Sequence, residues 1–177
     1  MAESTFSAVL VTVPEAERVV RRHRERFDPA ALAGVPAHVT VMYPFVPPGR
    51  IDDDVLAAVA DAVVTVPRFR AEWRTTSWFG DQLLWVAPEP ASSFNALTTS
   101  VMDAFPGYLP YEGEHGDPVP HLTVGDRGSQ EELRAAEREI MSQLPFTMDV
   151  TAVQVMCGAN TPGSWHTIAE FPLGPAG

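Results

Sequence analysis

Two short segments of this 177-residue chain nearly repeat each other: Pro36-Ala37-His38-Val39-Thr40-Val41 and Pro120-His121-Leu122-Thr123-Val124. Side chains alternate faces along a strand. His38 and Thr40 therefore share one face, with Val39 and Val41 on the other. His121 and Thr123 stand the same way against Leu122 and Val124. Each segment reads as a strand with an apolar face for a core and a polar face carrying an imidazole and a hydroxyl. A fold for this chain must bury both apolar faces, and it can bring the two polar faces together.

The elements around each copy also repeat. Residues 6–13 read as a buried strand rich in Val and Leu. Pro14 then opens a helix, with Glu15 and Glu17 in its first turn and Val19, Val20, His23 and Phe27 at helical spacing. Residues 29–36 read as a loop, and 38–45 as the first motif strand, ended by Pro47-Pro48-Gly49. Asp52, Asp53 and Asp54 suit the cap and first turn of a helix through 64, with Val55, Leu56, Val59 and Val63 inward. Residues 69–79 and 83–87 form a hairpin about Gly80-Asp81-Gln82. Ser92 or Ser93 caps a helix through 105, striped by Phe94, Leu97, Val101 and Met102. Residues 106–120 are a Gly- and Pro-dense loop, 121–125 the second motif strand, and 129 to about 144 a helix started by Ser129. Residues 146–156 and 165–171 make a last strand pair. One run of strand, helix, motif, helix and strand pair occupies 6–87; a second occupies 83–171, sharing its opening strand. The expectation is a single bilobal unit over 1–177, built from two duplicated halves.

Composition narrows the partners. The chain is 45% hydrophobic and 20% charged, which suits a folded core. Its formal net charge of −11 opposes extended contact with a phosphate backbone, so no long nucleic acid is expected. A small phosphorylated nucleotide or a single RNA terminus fits, because a local pocket can be basic on an acidic protein. Cys157 is the only cysteine, which excludes an intrachain disulfide and suits a cytoplasmic setting. The first residues carry no signal-peptide pattern, and no stretch is long enough to span a membrane. A monomer with no membrane partner is expected.

The motif pair resembles the signature of the two-histidine (2H) phosphoesterase superfamily, which includes 2′-5′ RNA ligase-like proteins and 2′,3′-cyclic nucleotide phosphodiesterases. That signature is two H-x-T/S-x motifs on strands, matched by His38-Val39-Thr40-Val41 and His121-Leu122-Thr123-Val124. Met42-Tyr43-Pro44-Phe45 is similar to the tract that follows the first motif in many ligase-like members. The resemblance covers essentially the whole chain. It implies an α+β, bilobal fold: two pseudo-symmetric antiparallel sheets flanked by helices around a central groove where the motifs meet. It also implies activity without a metal or other cofactor.

The residue types fit that chemistry. Histidine titrates near neutrality, so one of His38 and His121 can act as base while the other, protonated, acts as acid. Thr40 and Thr123 can donate hydrogen bonds to phosphate oxygens as charge builds there. The expected function is hydrolysis of a 2′,3′-cyclic or 2′-5′-linked phosphate of a small nucleotide or RNA end. The sequence leaves open which histidine is acid and which is base. The alternatives are a non-catalytic nucleotide- or phosphate-binding module on the same fold, and 2′-5′ RNA ligase activity. A metal site from His38, His115, His121 and Cys157 lacks the close pairing of typical zinc motifs.

Further candidates lie nearby. Tyr43, Arg127 and Trp165 are candidate substrate contacts: Tyr43 by stacking on a base, Arg127 by offsetting phosphate charge, and Trp165 because the resemblance brings the start of the last strand toward the groove. Gly125-Asp126 separate Arg127 from the second motif, where many 2H members carry a basic residue close behind. Arg50 follows the first motif similarly. Phe45 reads as core, His166 as a groove edge, and the 106–120 loop offers Tyr108, Tyr111 and His115. Arg18, Arg21, Arg22, Arg24 and Arg26 read as an outward helix face paired with Glu17 and Glu25.

Overall fold

The computed structural model describes residues 3–113 and 117–177, and in it exposure alternates over residues 38–41 and 122–124 of the two motifs. Strand β1 (Phe6–Thr12) is buried from Ser7 to Val11. Helix α1 (Pro14–Phe27) begins at Pro14 and buries Ala16, Val19, Val20, His23 and Phe27. A short α2 (Pro29–Leu32) follows, then the first motif strand β2 (His38–Met42). Helix α3 (Asp53–Val63) starts where the Asp52 carboxylate accepts from the Val55 amide at 2.9 Å. The hairpin is β3 (Phe69–Phe79) and β4 (Leu83–Glu89), and α4 (Ala91–Ala104) leads toward the second motif strand β5 (Leu122–Gly125). Helix α5 (Gln130–Met141) opens on a reciprocal Ser129–Glu132 capping box. Strands β6 (Phe146–Val150), β7 (Ala152–Gly158) and β8 (His166–Pro172) close the chain.

The strands form two four-stranded sheets, ordered β2-β1-β7-β8 and β5-β4-β3-β6, with antiparallel pairing between neighbours throughout. Each motif strand is the edge strand of its own sheet, and the two edges lie against each other. Helix α1 packs on β5 and α4 on β2, so each sheet is braced by a helix from beside the other. Val39, Val41, Leu122 and Val124 join one contiguous buried cluster, while His38, Thr40, His121 and Thr123 stay partly exposed. This is the expected α+β arrangement of antiparallel sheets flanked by helices. No described helix is long and apolar enough to cross a membrane.

The structure corrects the sequence reading in several places. Residues 146–156 are two strands, not one: the chain leaves β6 at exposed Thr151 and re-enters as β7 in the other sheet. Val150 and Val153, both in the shared core, bracket that crossing. The two sheets are therefore not the two sequence halves; β7 and β8 complete the first sheet, and β3 crosses into the second. The 29–36 loop contains α2, capped by Asp28, whose carboxylate accepts from Ala30 N at 2.9 Å. Strand β2 ends at Met42, ahead of Pro44, which has no N–H to donate to a ladder. Helix α4 follows Pro90 with no side-chain cap from Ser92 or Ser93. Helix α5 stops at Met141, short of Leu144. The 106–120 loop includes a turn at Pro110–Gly113 in which Tyr111 and Glu112 are both left-handed. His115 lies outside the described residues.

Candidate active site

The two motif histidines are held alike. His38 Nδ1 lies 2.7 Å from the carbonyl oxygen of Pro36, and His121 Nδ1 lies 2.7 Å from that of Val119. A carbonyl only accepts, so each Nδ1 carries the proton and donates it. The neutral rings are thereby fixed in one tautomer, with the Nε2 lone pair left for chemistry. In both cases the partner is the carbonyl two residues back. The repeat of sequence is thus also a repeat of geometry.

The surroundings differ. Burial pushes His38 down to a pKa of about 4, with the Arg24 guanidinium adding to the effect and the nearby His121 a smaller contributor. Arg24 reads from sequence as part of the outward helix face, but it is buried. Its Nε and Nη2 donate to Asp28 Oδ2 at 3.1 and 2.8 Å, and its Nη1 donates to the Val35 carbonyl at 3.2 Å. The sequence signal for this was the i, i+4 spacing to Asp28, hidden in a run of arginines. Burial raises the Asp28 carboxyl above the usual range even though Arg24 opposes it. Of the other helix arginines, Arg21 pairs with Glu17, Arg22 with Glu139 and Arg26 with Glu132, all at the exposed surface.

Beside the first motif opens a cavity of about 640 Å³, lined by His38, Thr40, Leu32, Tyr43, Arg127 and Trp165, among others. Ala8, Leu10 and Val35 also line it, and with Met156 they form a small apolar cluster on which Tyr43 and Trp165 pack. All three candidate contacts named from sequence thus line one cavity. Two glycines make this possible. A Cβ on Gly158 would fall 2.4 Å from the Trp165 ring, so only glycine lets the indole lie there. A Cβ on Gly125 would fall 2.4 Å from Phe27 Cβ and 2.5 Å from its carbonyl oxygen. That close approach lets Asp126 N and Arg127 N both donate to Phe27 O, at 3.1 and 3.0 Å. The chain after the second motif is thereby pinned to α1, and Arg127 reaches the cavity of the first.

His121 sits among aromatic rings instead. Phe79 meets it edge to face at 5.0 Å between centroids, Trp85 at 5.9 Å, and Tyr111 lies over it at 6.4 Å with 26° between planes. Burial lowers its pKa, opposed by the bond to Val119. Trp85 faces Thr123 across the β4–β5 ladder, which puts the indole on the polar side of the second motif. Tyr111 joins the two motifs: its phenol hydrogen-bonds with the Thr40 hydroxyl, and burial raises its pKa so that it stays protonated at neutral pH. Its amide donates to Tyr43 O at 2.7 Å, and its left-handed backbone (φ 51°) turns the ring inward.

Several participants were not singled out from sequence. Phe79 and Trp85 read only as strand residues; the signal was the hairpin register that puts them on the face of Thr123. Asp28 and Leu32 belong to the segment around the loop reading of 29–36. Phe45 is core, as read. His166 is exposed on β8, and its Nδ1 donates to Ser164 O at 3.2 Å. Arg50 is exposed in a 3-10 turn after β2. No described His, Cys, Asp and Glu residues gather in a group of three that could hold a metal ion.

Both motifs fall inside the match to the sequence pattern of the 2′-5′ RNA ligase superfamily, which spans residues 12–161. The chain belongs to that superfamily. Among solved structures, TT0787 of Thermus thermophilus is 17% identical with a TM-score of 0.65, covering 94% of this chain and 97% of that one. E. coli LigT in its apo form is 14% identical with a TM-score of 0.60, covering 98% and 99%. E. coli LigT complexed with 3′-AMP is 15% identical with a TM-score of 0.57, covering 97% and 99%. At these identities the likeness is one of fold. No curated protein matched the sequence.

Proposed function

We propose that the chain is a metal-independent phosphoesterase hydrolysing a 2′,3′-cyclic or 2′-5′-linked phosphate of a small nucleotide or RNA end. His38 and His121 are its acid–base pair. The observation that carries this reading is the paired Nδ1-to-carbonyl lock, which leaves two Nε2 atoms, each with a threonine on the same strand face. Complexes of E. coli LigT with 3′-AMP and with ATP support a small nucleotide as the ligand class. The net charge of −11 supports the same choice against a long strand. The enzyme acts as a monomer in this reading.

With a 2′,3′-cyclic phosphate between the motifs, Thr40 and Thr123 donate to its non-bridging oxygens. The nucleoside occupies the cavity beside His38, so the ribose oxygen departs on that side and water enters on the side of His121. His121 Nε2 takes a proton from water as the water oxygen bonds to phosphorus. The bond from phosphorus to one ribose oxygen breaks, and His38 gives that oxygen its proton. His38 is neutral in the empty site; the negative charge of bound phosphate favours the protonated ring, so substrate and proton enter together. Each transfer contributes about a hundred- to ten-thousand-fold.

Phosphorus NMR of a panel of 2′,3′-cyclic mononucleotides and 2′-5′ oligonucleotides tests the reading. At least one member should be hydrolysed, equally well with a chelator present, and not by His38→Ala or His121→Ala. Binding of the panel without turnover would favour a nucleotide-binding module instead.

A further inference from the structure

Tyr111 stands between the two motifs and belongs to neither. The segment before it is tied to the core: Pro110 is buried, and the Tyr108 ring packs against Phe45 at 6.2 Å between centroids. Tyr111 and Glu112 both have left-handed backbone, at φ 51° and 55°. That conformation is unfavourable for any residue with a Cβ, so two in succession persist only because the surroundings hold them. Tyr111 N donates to Tyr43 O at 2.7 Å, just beyond the first motif strand, and Glu112 N donates to Leu109 O at 3.0 Å. The phenol so placed hydrogen-bonds with the Thr40 hydroxyl, while its ring lies over His121 at 6.4 Å and 26°. Strained backbone of this kind collects at working sites, and here it aims one side chain at a hydroxyl that the proposed reaction uses.

We propose that Tyr111 is a positioning residue: its phenol O–H, donated to Thr40 Oγ1, turns the Thr40 proton toward the substrate phosphate. This rests on the phosphoesterase reading above. Each of the two hydroxyls has one proton to donate and lone pairs with which to accept. The non-bridging oxygens of a phosphodiester only accept. When Thr40 serves the phosphate, its one proton goes to such an oxygen. The bond between Thr40 and Tyr111 must then run from the phenol to Thr40 Oγ1. Burial keeps the phenol protonated at neutral pH, so it has that proton to give. Two hydroxyls chained in this order also polarise each other, which makes Thr40 the stronger donor. A residue of the loop before the second motif thereby orients the phosphate donor of the first.

The test is a double-mutant cycle of Tyr111→Phe with Thr40→Val, read as kcat/KM on a panel of 2′,3′-cyclic mononucleotides. Tyr111→Phe keeps the ring and removes only the O–H, and should lower kcat/KM by about three- to tenfold, the worth of one hydrogen bond between neutral groups. In the Thr40→Val background it should bring no further loss. In the Thr40→Ser background, which keeps the hydroxyl, the loss should return. A phenol that acts on the phosphate by itself, or only packs the loop, would give the same factor in all three backgrounds, which overturns the positioning role. So does a Tyr111→Phe protein as active as the wild type, or a more active one, in which the phenol would be an obstruction. If no cyclic nucleotide is turned over, the phosphoesterase reading fails, and calorimetric titration with 3′-AMP still decides the positioning role. Weaker binding by Tyr111→Phe than by the wild type, with no such difference in the Thr40→Val background, supports it. Equal binding by the wild-type and Tyr111→Phe proteins overturns it, as does the absence of binding to the wild type.

Discussion

His38 and His121 share a backbone lock and differ in nearly everything else around them. Each donates Nδ1–H to the carbonyl two residues back at 2.7 Å. His38, however, borders a cavity with a buried guanidinium behind it, whereas His121 stands among Phe79, Trp85 and Tyr111. The likeness lies in the backbone of the two motifs, and the contrast lies in what flanks them. In the proposed acid–base reading the two imidazoles do matching work, and the lock is the same at both. The unlike walls come from α2, from the residues around Trp165, and from the β3–β4 hairpin.

If the likeness is functional, breaking either side should have a similar effect. His38→Ala and His121→Ala should each lower kcat by about a hundred- to ten-thousand-fold, because each removes one proton transfer; steady-state assay on a cyclic nucleotide checks this. Strong loss in one variant and none in the other would leave a single catalytic histidine. The contrast shows most clearly in stability. Arg24→Leu strands the buried Asp28 carboxylate on the first side only, and should destabilise the fold by about 3–5 kcal/mol in urea denaturation. Arg127→Ala, at an exposed side chain loosely paired with Asp126 at 3.6 Å, should leave the urea midpoint unchanged.

Much of the likeness was legible in the sequence, and little of the contrast. His38, Thr40, His121 and Thr123 could be named because a period of two is a local property of any strand. The two antiparallel sheets were implied by the family resemblance that the motif pair carries. The exchange of strands at Thr151 could not be read, since a continuous apolar run looks the same whether it serves one sheet or two. The cavity walls were equally hidden. Arg24 reads as one more surface arginine until α2 folds back and buries it against Asp28. Phe79 and Trp85 read as ordinary strand aromatics until the hairpin register places them beside His121. Walls depend on which loops meet, and that is set by tertiary packing.

Smaller effects sharpen the comparison. Thr40→Val and Thr123→Val should each lower kcat/KM by about ten- to hundredfold, the worth of a hydrogen bond to a charged oxygen. The Thr40 change should also free Tyr111, seen as a shifted tyrosine fluorescence or ring NMR signal. Trp165→Ala should raise KM by about fivefold or more with kcat kept, through lost stacking in the cavity.

The pH dependence of kcat/KM on a 2′,3′-cyclic nucleotide tests most directly whether the two motif imidazoles share one working proton. Burial lowers both pKa values in the free protein, His38 to about 4 and His121 to below its ordinary value of 6.5. Below the lower value both rings are protonated and no base is left; above the higher value both are neutral and no acid is left. A bell with its acid limb near pH 4 and its alkaline limb below 6.5 is the expected result. A rate that keeps rising through neutral pH, or one that does not change between pH 5 and 8, would contradict it.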